Sequence, residues 1–243
     1  MQDRNNTIWL PSCHSTNTYV KEWLINNRSV SGWTVSTYEQ TAGRGQMGNI
    51  WESEPYKNLT FSSFYIFDLF EVKDLFFLSM AVSLAVAELL ETFEIKGEIK
   101  WPNDIYAGKE KICGLLIEPH IQSSHVKHAV IGVGLNVNQK KFKTSCATSI
   151  FLLKGEELQL ETLLETLLTL IDEKVEMVKM NLFNRLKQDY YKYLYLKDKP
   201  AAFKSKDNIF MGIIRGVDDF GRLQIETENE QMVFSNKEIQ FLR

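Results

Sequence analysis

A glycine-rich segment set between two β-forming stretches is the feature that most limits what this chain can fold into. Residues 43–48 read GRGQMG and match the pattern G-x-G-x-x-G. A dinucleotide-binding fold needs a strand before that pattern and a helix directly after it. The stretch 33–39 is rich in β-formers and predicts the strand, but Pro55 and the β-rich stretch 58–67 follow in place of a helix. The segment therefore argues against a Rossmann fold.

A protein kinase also begins with strand, glycine loop and strand, and Asp219-Phe220-Gly221 matches the metal-binding triplet of that class. No His-Arg-Asp catalytic triplet occurs in the 243 residues, and the chain is short for a kinase. The kinase interpretation is therefore disfavoured. Taken alone, the glycine segment leaves open a tight turn without chemistry.

The spacing of apolar residues predicts an α+β module followed by a small all-β unit. Helical spacing occurs near 17–24 and over 75–93, 158–180 and 183–194, and β-rich runs occur at 33–39, 58–67, 98–101, 111–118 and 130–137. Beyond residue 200 the sequence changes to short β runs separated by turn signals. We place a domain boundary near residue 195, between an α+β unit at 1–194 and a small barrel at 195–243. The expected fold is a mixed β-sheet backed by helices, with the barrel attached at its C-terminal side.

Composition narrows the class of protein. The chain is 44% hydrophobic, enough to build a core, and its net charge of -3 comes without a local run of Lys and Arg, which disfavours a nucleic-acid partner. Three cysteines without paired spacing fit free thiols in a reducing compartment. The apolar stretch 75–90 is interrupted by Ser79, Ser83 and Glu88 and predicts no membrane span. We expect a soluble, cytoplasmic protein with no membrane partner.

Six short motifs follow one another along the chain. They read S-T-N at 15–17, Q-T-A-G-R-G-x-x-G-x-x-W at 40–51, N-L-x-x-S at 58–62, K-W-P-N-D at 100–104, K-x-x-G-x-L-x-E at 111–118 and G-x-G-x-N-V-N at 132–138. This series resembles the catalytic module of biotin–protein ligases, and the C-terminal unit resembles that family's small SH3-like domain. The resemblance covers nearly the whole chain. It implies the α+β fold that these ligases share with class II aminoacyl-tRNA synthetases.

The resemblance implies an enzyme that joins biotin to AMP with release of pyrophosphate and then transfers biotin to a lysine of a carrier protein. ATP and biotin are the implied substrates, Mg²⁺ accompanies ATP, and the implied partner is the biotin carboxyl carrier protein domain of an acyl-CoA carboxylase.

Two alternatives stay open. A lipoate or octanoate–protein ligase shares the fold, although that family lacks K-W-P-N-D and this type of β-barrel. A non-catalytic binding module is the other, and the presence of both Arg44 and Lys111 speaks against it.

Two cations matter to such a reaction for a physical reason. Joining a carboxylate to the α-phosphate of ATP brings two anions together, so the protein must supply positive charge and fixed donors where charge develops. Arg44 suits carboxylate and phosphate oxygens, and Lys111 can place a compact ammonium at the same centre. In the family, the matching positions contact the biotin carboxyl and the adenylate phosphate. Asp104 either assists deprotonation of the carrier lysine or is a turn residue at the Pro102 bend.

The resemblance also implies the ligand contacts. The catalytic set is Arg44, Lys111 and Asp104. The implied biotin contacts are Ser15, Thr16, Asn17, Gln40, Gly43, Arg44, Gly45, Gln46, Lys111, Gly114 and Leu116. The implied ATP contacts are Arg44, Gln46, Trp51, Lys100, Asn103, Lys111 and Asn136, with a solvated side chain as the alternative for Lys100. No metal ligand is predicted, and His120, His125 and His128 are predicted surface residues of a polar loop.

Two departures from the family pattern bear on function. The family's glycine segment is often rich in arginine, whereas Gln46, Met47 and Asn49 stand at the later arginine positions. Less positive charge should hold the adenylate less tightly, so we expect faster escape of the intermediate than in arginine-rich relatives.

Some bacterial relatives carry an N-terminal DNA-binding helix-turn-helix, whereas the motifs here start by Ser15, so we expect a monofunctional ligase. Family members are monomers or homodimers, and no sequence feature decides between these states.

Overall fold

The computed structural model describes residues 6–28 and 30–242. Its strands are β1 (Thr7–Leu10), β2 (Trp33–Thr37), β3 (Asn58–Glu71), β4 (Gly97–Lys100), β5 (Asp104–Ala107), β6 (Glu110–Gln122), β7 (His125–Asn136), β8 (Pro200–Ser205), β9 (Asn208–Val217), β10 (Leu223–Glu226), β11 (Gln231–Phe234) and β12 (Gln240–Phe241). Its α-helices are α1 (Thr16–Asn26), α2 (Leu75–Glu91), α3 (Ile150–Lys154), α4 (Leu160–Lys179) and α5 (Phe183–Tyr193). The predicted elements are present with shifted ends, while β1, β5 and α3 were not predicted.

Seven strands form one mixed sheet in the order β1-β2-β3-β7-β6-β5-β4. β1 and β2 run parallel, and the other neighbouring pairs are antiparallel. On one face α1 buries Val20 against Val35, Phe64 and Val130. Because side chains alternate between faces along a strand, neighbouring residues of the same strands join the larger core with α2 and α4 on the opposite face. The predicted mixed sheet backed by helices is confirmed.

The helix α2 is apolar on nearly all sides because it is enclosed. It packs against α4, α5 and the sheet, and residues such as Leu78, Leu84 and Leu89 are fully buried. A helix that is hydrophobic all round is a buried one, so the run of apolar residues after residue 75 reflects its central place in the core.

The C-terminal unit is a five-stranded antiparallel sheet in the order β11-β10-β9-β8-β12. No strand pairing within residues 6–28 and 30–242 joins β11 to β12, so the predicted barrel is an open sheet here. Phe203, Ile214 and Leu223 are fully buried and continuous with the main core. The boundary near residue 195 stays a prediction.

Specific contacts hold the second sheet against the first unit. Trp101 donates a hydrogen bond from Nε1 to the carbonyl of Gly221 at 2.8 Å. Gly221 has φ of 77°, and a Cβ there would fall 2.2 Å from Phe76 Cγ, so the turn requires glycine. Asp219 in the same turn pairs with Lys187 at 3.0 Å. The triplet 219–221 is thus a packing turn, in line with rejection of the kinase interpretation.

The predicted polar loop around the three histidines is wrong. His120 and His128 face each other across β6 and β7, with parallel rings and centroids 4.6 Å apart. Burial lowers the pKa of His128, and the neighbouring His120 lowers it further.

Among the described residues, no group of three or more His, Cys, Asp and Glu is placed to hold a metal ion. None of the described helices has the length and apolar character needed to cross a membrane.

Candidate active site

A cavity of about 180 Å³ lies on the α1 face of the main sheet, beneath the glycine segment. The predicted residues that line it are Ser15, Thr16, Asn17, Gln40, Arg44, Gly45, Gln46, Trp51, Asn103, Asp104, Lys111, Gly114 and Leu116. These residues come from separate motifs spread over about a hundred positions. The fold therefore brings most of the predicted site residues to one place.

Three predicted residues lie outside this cavity. Gly43 lines a neighbouring surface pocket on the glycine segment, and Lys100 lines a separate groove beside β12. Asn136 is buried, and its Nδ2 donates to the carbonyl of Thr148 at 2.9 Å. The segment ending at Thr148 in turn holds the backbone of Lys111, because the Thr148 amide donates to the Lys111 carbonyl at 2.9 Å. Asn136 thus acts on the site through Lys111, although it does not line the cavity.

The cavity has two ends, set over two residue pairs of β6 and β7 that lie two positions apart on the same face of the sheet. The polar end comprises Thr16, Asn17 and Gln40 with Ser62 beneath them. Asn17 lies over the Leu116–Gly132 pair, since a Cβ on Gly132 would fall 2.2 Å from Asn17 Oδ1. The charged end lies over the next pair, Gly114 and Gly134. It comprises Trp51, Asp104 and Lys111, with Asn236 and Lys237 from the second sheet.

The side chains of the polar end bond to one another. The Thr16 amide donates to Gln40 Oε1 at 2.9 Å, which fixes the start of α1 against the glycine segment. Ser62 Oγ lies within hydrogen-bond distance of both Thr16 Oγ1 and Asn17 Oδ1. Ser15 takes the N-cap position of α1 without a side-chain capping bond, so its hydroxyl is not used by the helix. The structure leaves this hydroxyl to the cavity, which Ser15 lines.

Glu118 connects the polar end to Arg44. Its carboxylate accepts from Asn17 Nδ2 at 2.8 Å, from Lys21 Nζ at 2.7 Å and from Arg44 Nη2 at 3.0 Å. Burial alone would raise the pKa of Glu118, but Lys21, Asn17 and Arg44 outweigh that effect and hold the pKa below its ordinary value. Glu118 closes the K-x-x-G-x-L-x-E motif, yet its role was missed because no spacing argument pairs it with residues about a hundred positions earlier.

An ion pair dominates the charged end. Lys111 Nζ lies 2.7 Å from Asp104 Oδ1. Asp104 is the first residue of β5, and Asn103 before it donates to the Leu115 carbonyl at 2.9 Å. This bond anchors the turn of the K-W-P-N-D motif to β6 and aims the Asp104 carboxylate at Lys111. Asp104 directly follows the turn at 101–103, so both interpretations of this residue stay predictions.

Trp51 fills part of the charged end. A Cβ on Gly134 would fall 2.3 Å from Trp51 Cε2, so the indole lies directly on glycine backbone. The Lys111 ammonium is 5.6 Å from the centroid of the Trp51 ring. Among the described residues, the buried Trp51 Nε1 has no hydrogen-bond partner. Gly134 belongs to the motif G-x-G-x-N-V-N. The structure shows that a side chain at this position would clash with the indole of Trp51.

The chain matches two family models along its length. The model of the Biotin/lipoate A/B protein ligase family matches residues 9–136, and that of the Biotin protein ligase C terminal domain matches residues 199–241. The first match covers more than half of the chain. The chain belongs to the biotin/lipoate A/B protein ligase family.

Relatives and solved structures agree with this assignment. The bifunctional ligase/repressor BirA of Bacillus spizizenii is 28% identical over 211 residues, which cover 84% of this chain and 65% of that protein. A biotin--[acetyl-CoA-carboxylase] ligase of Mycobacterium tuberculosis is 28% identical over 236 residues, covering 94% of this chain and 86% of that protein. The biotin protein ligase of Aquifex aeolicus, solved in complex with biotin and ATP, aligns with a TM-score of 0.81 and 27% identity over 98% of this chain and 99% of that chain. The chain thus spans just under two thirds of the BirA relative.

Membership of the biotin/lipoate A/B protein ligase family confirms the family and fold predicted from the sequence. Within that family, the match at 199–241 is to a domain named for biotin protein ligases, which favours the biotin branch over the lipoate branch. The ligand roles of the cavity residues are a separate question, because the family match does not extend to individual contacts.

Proposed function

We propose that this biotin/lipoate ligase family member is an ATP-dependent biotin–protein ligase. The observation that carries the proposal is one cavity with a hydrogen-bonded polar end and, two residues further along the same strands, a charged end with Lys111 and Asp104. Biotin is an apolar bicycle with one polar ureido group and a carboxylate at the end of its chain. A site of this form suits its polar ring at one end and its reacting carboxylate near Arg44 and Lys111.

In the first step, a biotin carboxylate oxygen forms a bond to the α-phosphorus of ATP. The bond from that phosphorus to the oxygen bridging to the β-phosphate breaks, and pyrophosphate leaves with the electron pair. Arg44 and Lys111 stabilise the negative charge at the reacting centre. Each must first exchange its present carboxylate partner, Glu118 or Asp104, for ligand oxygens.

In the second step, the amine of a carrier lysine attacks the acyl carbon of biotinyl-AMP. A C–N bond forms, the bond to the AMP oxygen breaks, and AMP leaves with that electron pair. The attacking lysine must lose a proton, and Asp104 at the charged end is placed to accept or orient it. The proposed carrier is the biotin carboxyl carrier protein domain of an acyl-CoA carboxylase, as the name of the Mycobacterium tuberculosis relative suggests.

Magnesium enters this proposal with ATP as part of the substrate. The donor set of the cavity is one carboxylate, Asp104, among amides, hydroxyls and cations, which suits a phosphate-bound ion better than a protein-held one. The metal then neutralises phosphate charge while Arg44 and Lys111 do the same from the protein side.

The deciding measurement is substrate-dependent pyrophosphate–ATP exchange, run in parallel with biotin, lipoate and octanoate. Exchange with biotin alone is the expected result, because only adenylation of the added acid returns labelled pyrophosphate to ATP. Exchange with lipoate or octanoate instead would replace the substrate while keeping the chemistry. The absence of exchange with all three acids would refute the adenylation step and favour a binding module.

A further inference from the structure

Arg44 lies at the border between the cavity and the neighbouring surface pocket on the glycine segment. It lines both, whereas Glu118 lines the surface pocket only. Glu118 lies four residues beyond Gly114 on β6, and its Oε2 accepts from both Asn17 Nδ2 and Arg44 Nη2. The guanidinium of Arg44 is therefore held by an anion beside the polar end, and it must leave that anion to meet a carboxylate or phosphate near Lys111.

The other partners of Glu118 stay in place when Arg44 leaves. Lys21 Nζ lies 2.7 Å from Oε1, the oxygen that Arg44 does not use. Lys21 belongs to α1 and is not among the described residues that line the cavity. Asn17 Nδ2 donates to Oε2 at 2.8 Å and to the Leu116 carbonyl at 3.2 Å. Glu118 thus keeps one cation and one amide after Arg44 has moved.

These partners determine how tightly Glu118 holds Arg44. The pKa of Glu118 lies below its ordinary value, so the carboxylate is ionised at neutral pH. A partly buried carboxylate that loses its only cation is left with an uncompensated charge, which opposes separation of the pair. Lys21 lowers that cost, because it neutralises Glu118 both before and after Arg44 leaves. The pair between Arg44 and Glu118 can therefore exchange for a ligand carboxylate.

We propose that Glu118 and Lys21 are positioning residues that set how readily Arg44 binds the carboxylate of the substrate. This inference rests on the proposed function, in which that carboxylate belongs to biotin. Glu118 competes with the substrate for Arg44, and Lys21 weakens the competitor. Removal of the two charges should therefore have opposite effects. Loss of the negative charge at 118 strengthens binding of the acid, and loss of the positive charge at 21 weakens it.

Calorimetric titration with biotin and with biotinamide, in which a neutral amide replaces the carboxylate, tests this assignment. Glu118→Gln should bind biotin about two- to fivefold more tightly than the wild type, as expected for loss of one partly exposed ion pair. Lys21→Gln should bind biotin more weakly by a similar factor, and Lys21→Arg should restore the wild-type affinity. Neither glutamine variant should change biotinamide binding. Lys192→Gln is the matched control, because Lys192 is an exposed helical lysine that pairs with Asp189 at 2.6 Å on α5.

The same substitutions in an Arg44→Gln background separate positioning from the general field of nearby charges. In that background, Glu118→Gln and Lys21→Gln should leave biotin affinity unchanged. Shifts that persist there would overturn the assignment, because the charges would then act on the ligand directly. Shifts of equal size for biotinamide would also overturn it, because the two residues would then act through the shape of the polar end.

The outcome for the positioning residues is separable from that for the proposed function. Equal biotin affinity in the wild type, Glu118→Gln and Lys21→Gln would overturn the positioning role, even where the wild type shows biotin-dependent pyrophosphate–ATP exchange. Opposite shifts in biotin affinity, without that exchange in the wild type, would support the positioning role and refute the adenylation step.

Discussion

The two ends of the cavity lie on residue pairs of β6 and β7 that are two positions apart on the same face, but they are stabilised in different ways. At the polar end, Thr16, Asn17, Gln40 and Ser62 satisfy one another through short side-chain bonds beneath the first turn of α1. At the charged end, the indole of Trp51 lies on glycine backbone, and Lys111 is paired with the Asp104 carboxylate.

This difference indicates how each end meets its ligand. The polar end is preorganised, because its donors and acceptors are already fixed by neighbours, and binding there costs little further ordering. The charged end must rearrange, since Trp51 occupies volume and Lys111 must leave Asp104 to meet phosphate. We therefore expect substitutions at the polar end to change stability and biotin affinity together. Substitutions at the charged end should change catalysis with little effect on the fold.

The largest effect is expected at Lys111. Lys111→Ala should lower biotin-dependent pyrophosphate–ATP exchange by about 10²-fold or more, because a positive charge at the proposed reacting centre is lost. The fold should persist, since the side chain is partly exposed. Lys127→Ala, on the exposed part of β7, serves as the control. Unchanged exchange in Lys111→Ala would remove this residue from the reacting centre.

Alanine at each of two glycines of β7 compares the two ends directly. In Gly132→Ala the new Cβ would meet Asn17 Oδ1 at 2.2 Å, within a buried network that cannot give way easily. We expect a loss of about 1–3 kcal/mol in the free energy of unfolding and about tenfold weaker biotin binding. In Gly134→Ala the atoms nearest to the Cβ would be those of the Trp51 ring, so ATP binding should weaken while unfolding changes little.

Urea unfolding and calorimetric titration of both variants measure these effects. If both substitutions lowered stability equally, the charged end would be as rigidly built as the polar end, and the comparison would fail.

A smaller effect is expected at Gln46. Its Oε1 accepts from Asn236, so the residue holds the glycine segment through a neutral contact. Gln46→Arg adds a charge next to the proposed position of the adenylate phosphate and should lengthen the lifetime of bound biotinyl-AMP several-fold, as one charge-assisted contact would. Release of radiolabelled adenylate through a spin column measures that lifetime. An unchanged lifetime would show that charge on this segment does not retain the intermediate.

The smallest effect concerns the pH dependence of stability at Glu118. The pKa of Glu118 is lowered from its ordinary value of 4.5, so the stability it contributes is present above that value and is lost as the pH falls through the lowered pKa. The wild type should exceed Glu118→Gln by less than about 1 kcal/mol in the free energy of unfolding, because the pairs are partly exposed. Unfolding at pH 7 and at acid pH should show this difference shrinking in acid. The same difference at both pH values would contradict the assignment.

The sequence predicted the residues that line the cavity better than it predicted which neighbouring residues lie outside it. Gly114 and Leu116 could be placed on one face, because residues two apart on a strand share a face. The same rule puts Asn136 on the face of Gly134, yet Asn136 is covered by the segment that ends at Thr148. The path of that segment depends on tertiary contacts that no local pattern encodes.

The remaining errors have similar causes. The sequence predicted a polar loop around His120, His125 and His128, but the pairing of β6 with β7 extends through this region and includes Pro119, while the pairing of β6 with β5 ends at Gly114. A proline is tolerated where one edge of a strand needs no ladder bond. Lys237 could not be predicted as a cavity residue, because its position follows from how the second sheet packs on the first.

The bond between Gln46 and Asn236 joins residues 190 positions apart. A ribosome makes the glycine segment early and the second sheet much later, so a nascent chain can fold the main sheet while the charged end is still unclosed. Reactive acyl-adenylate chemistry would then begin only after translation of the second sheet is complete. Because the bond between Gln46 and Asn236 completes the charged end, enzymatic activity would indicate that the whole polypeptide has folded.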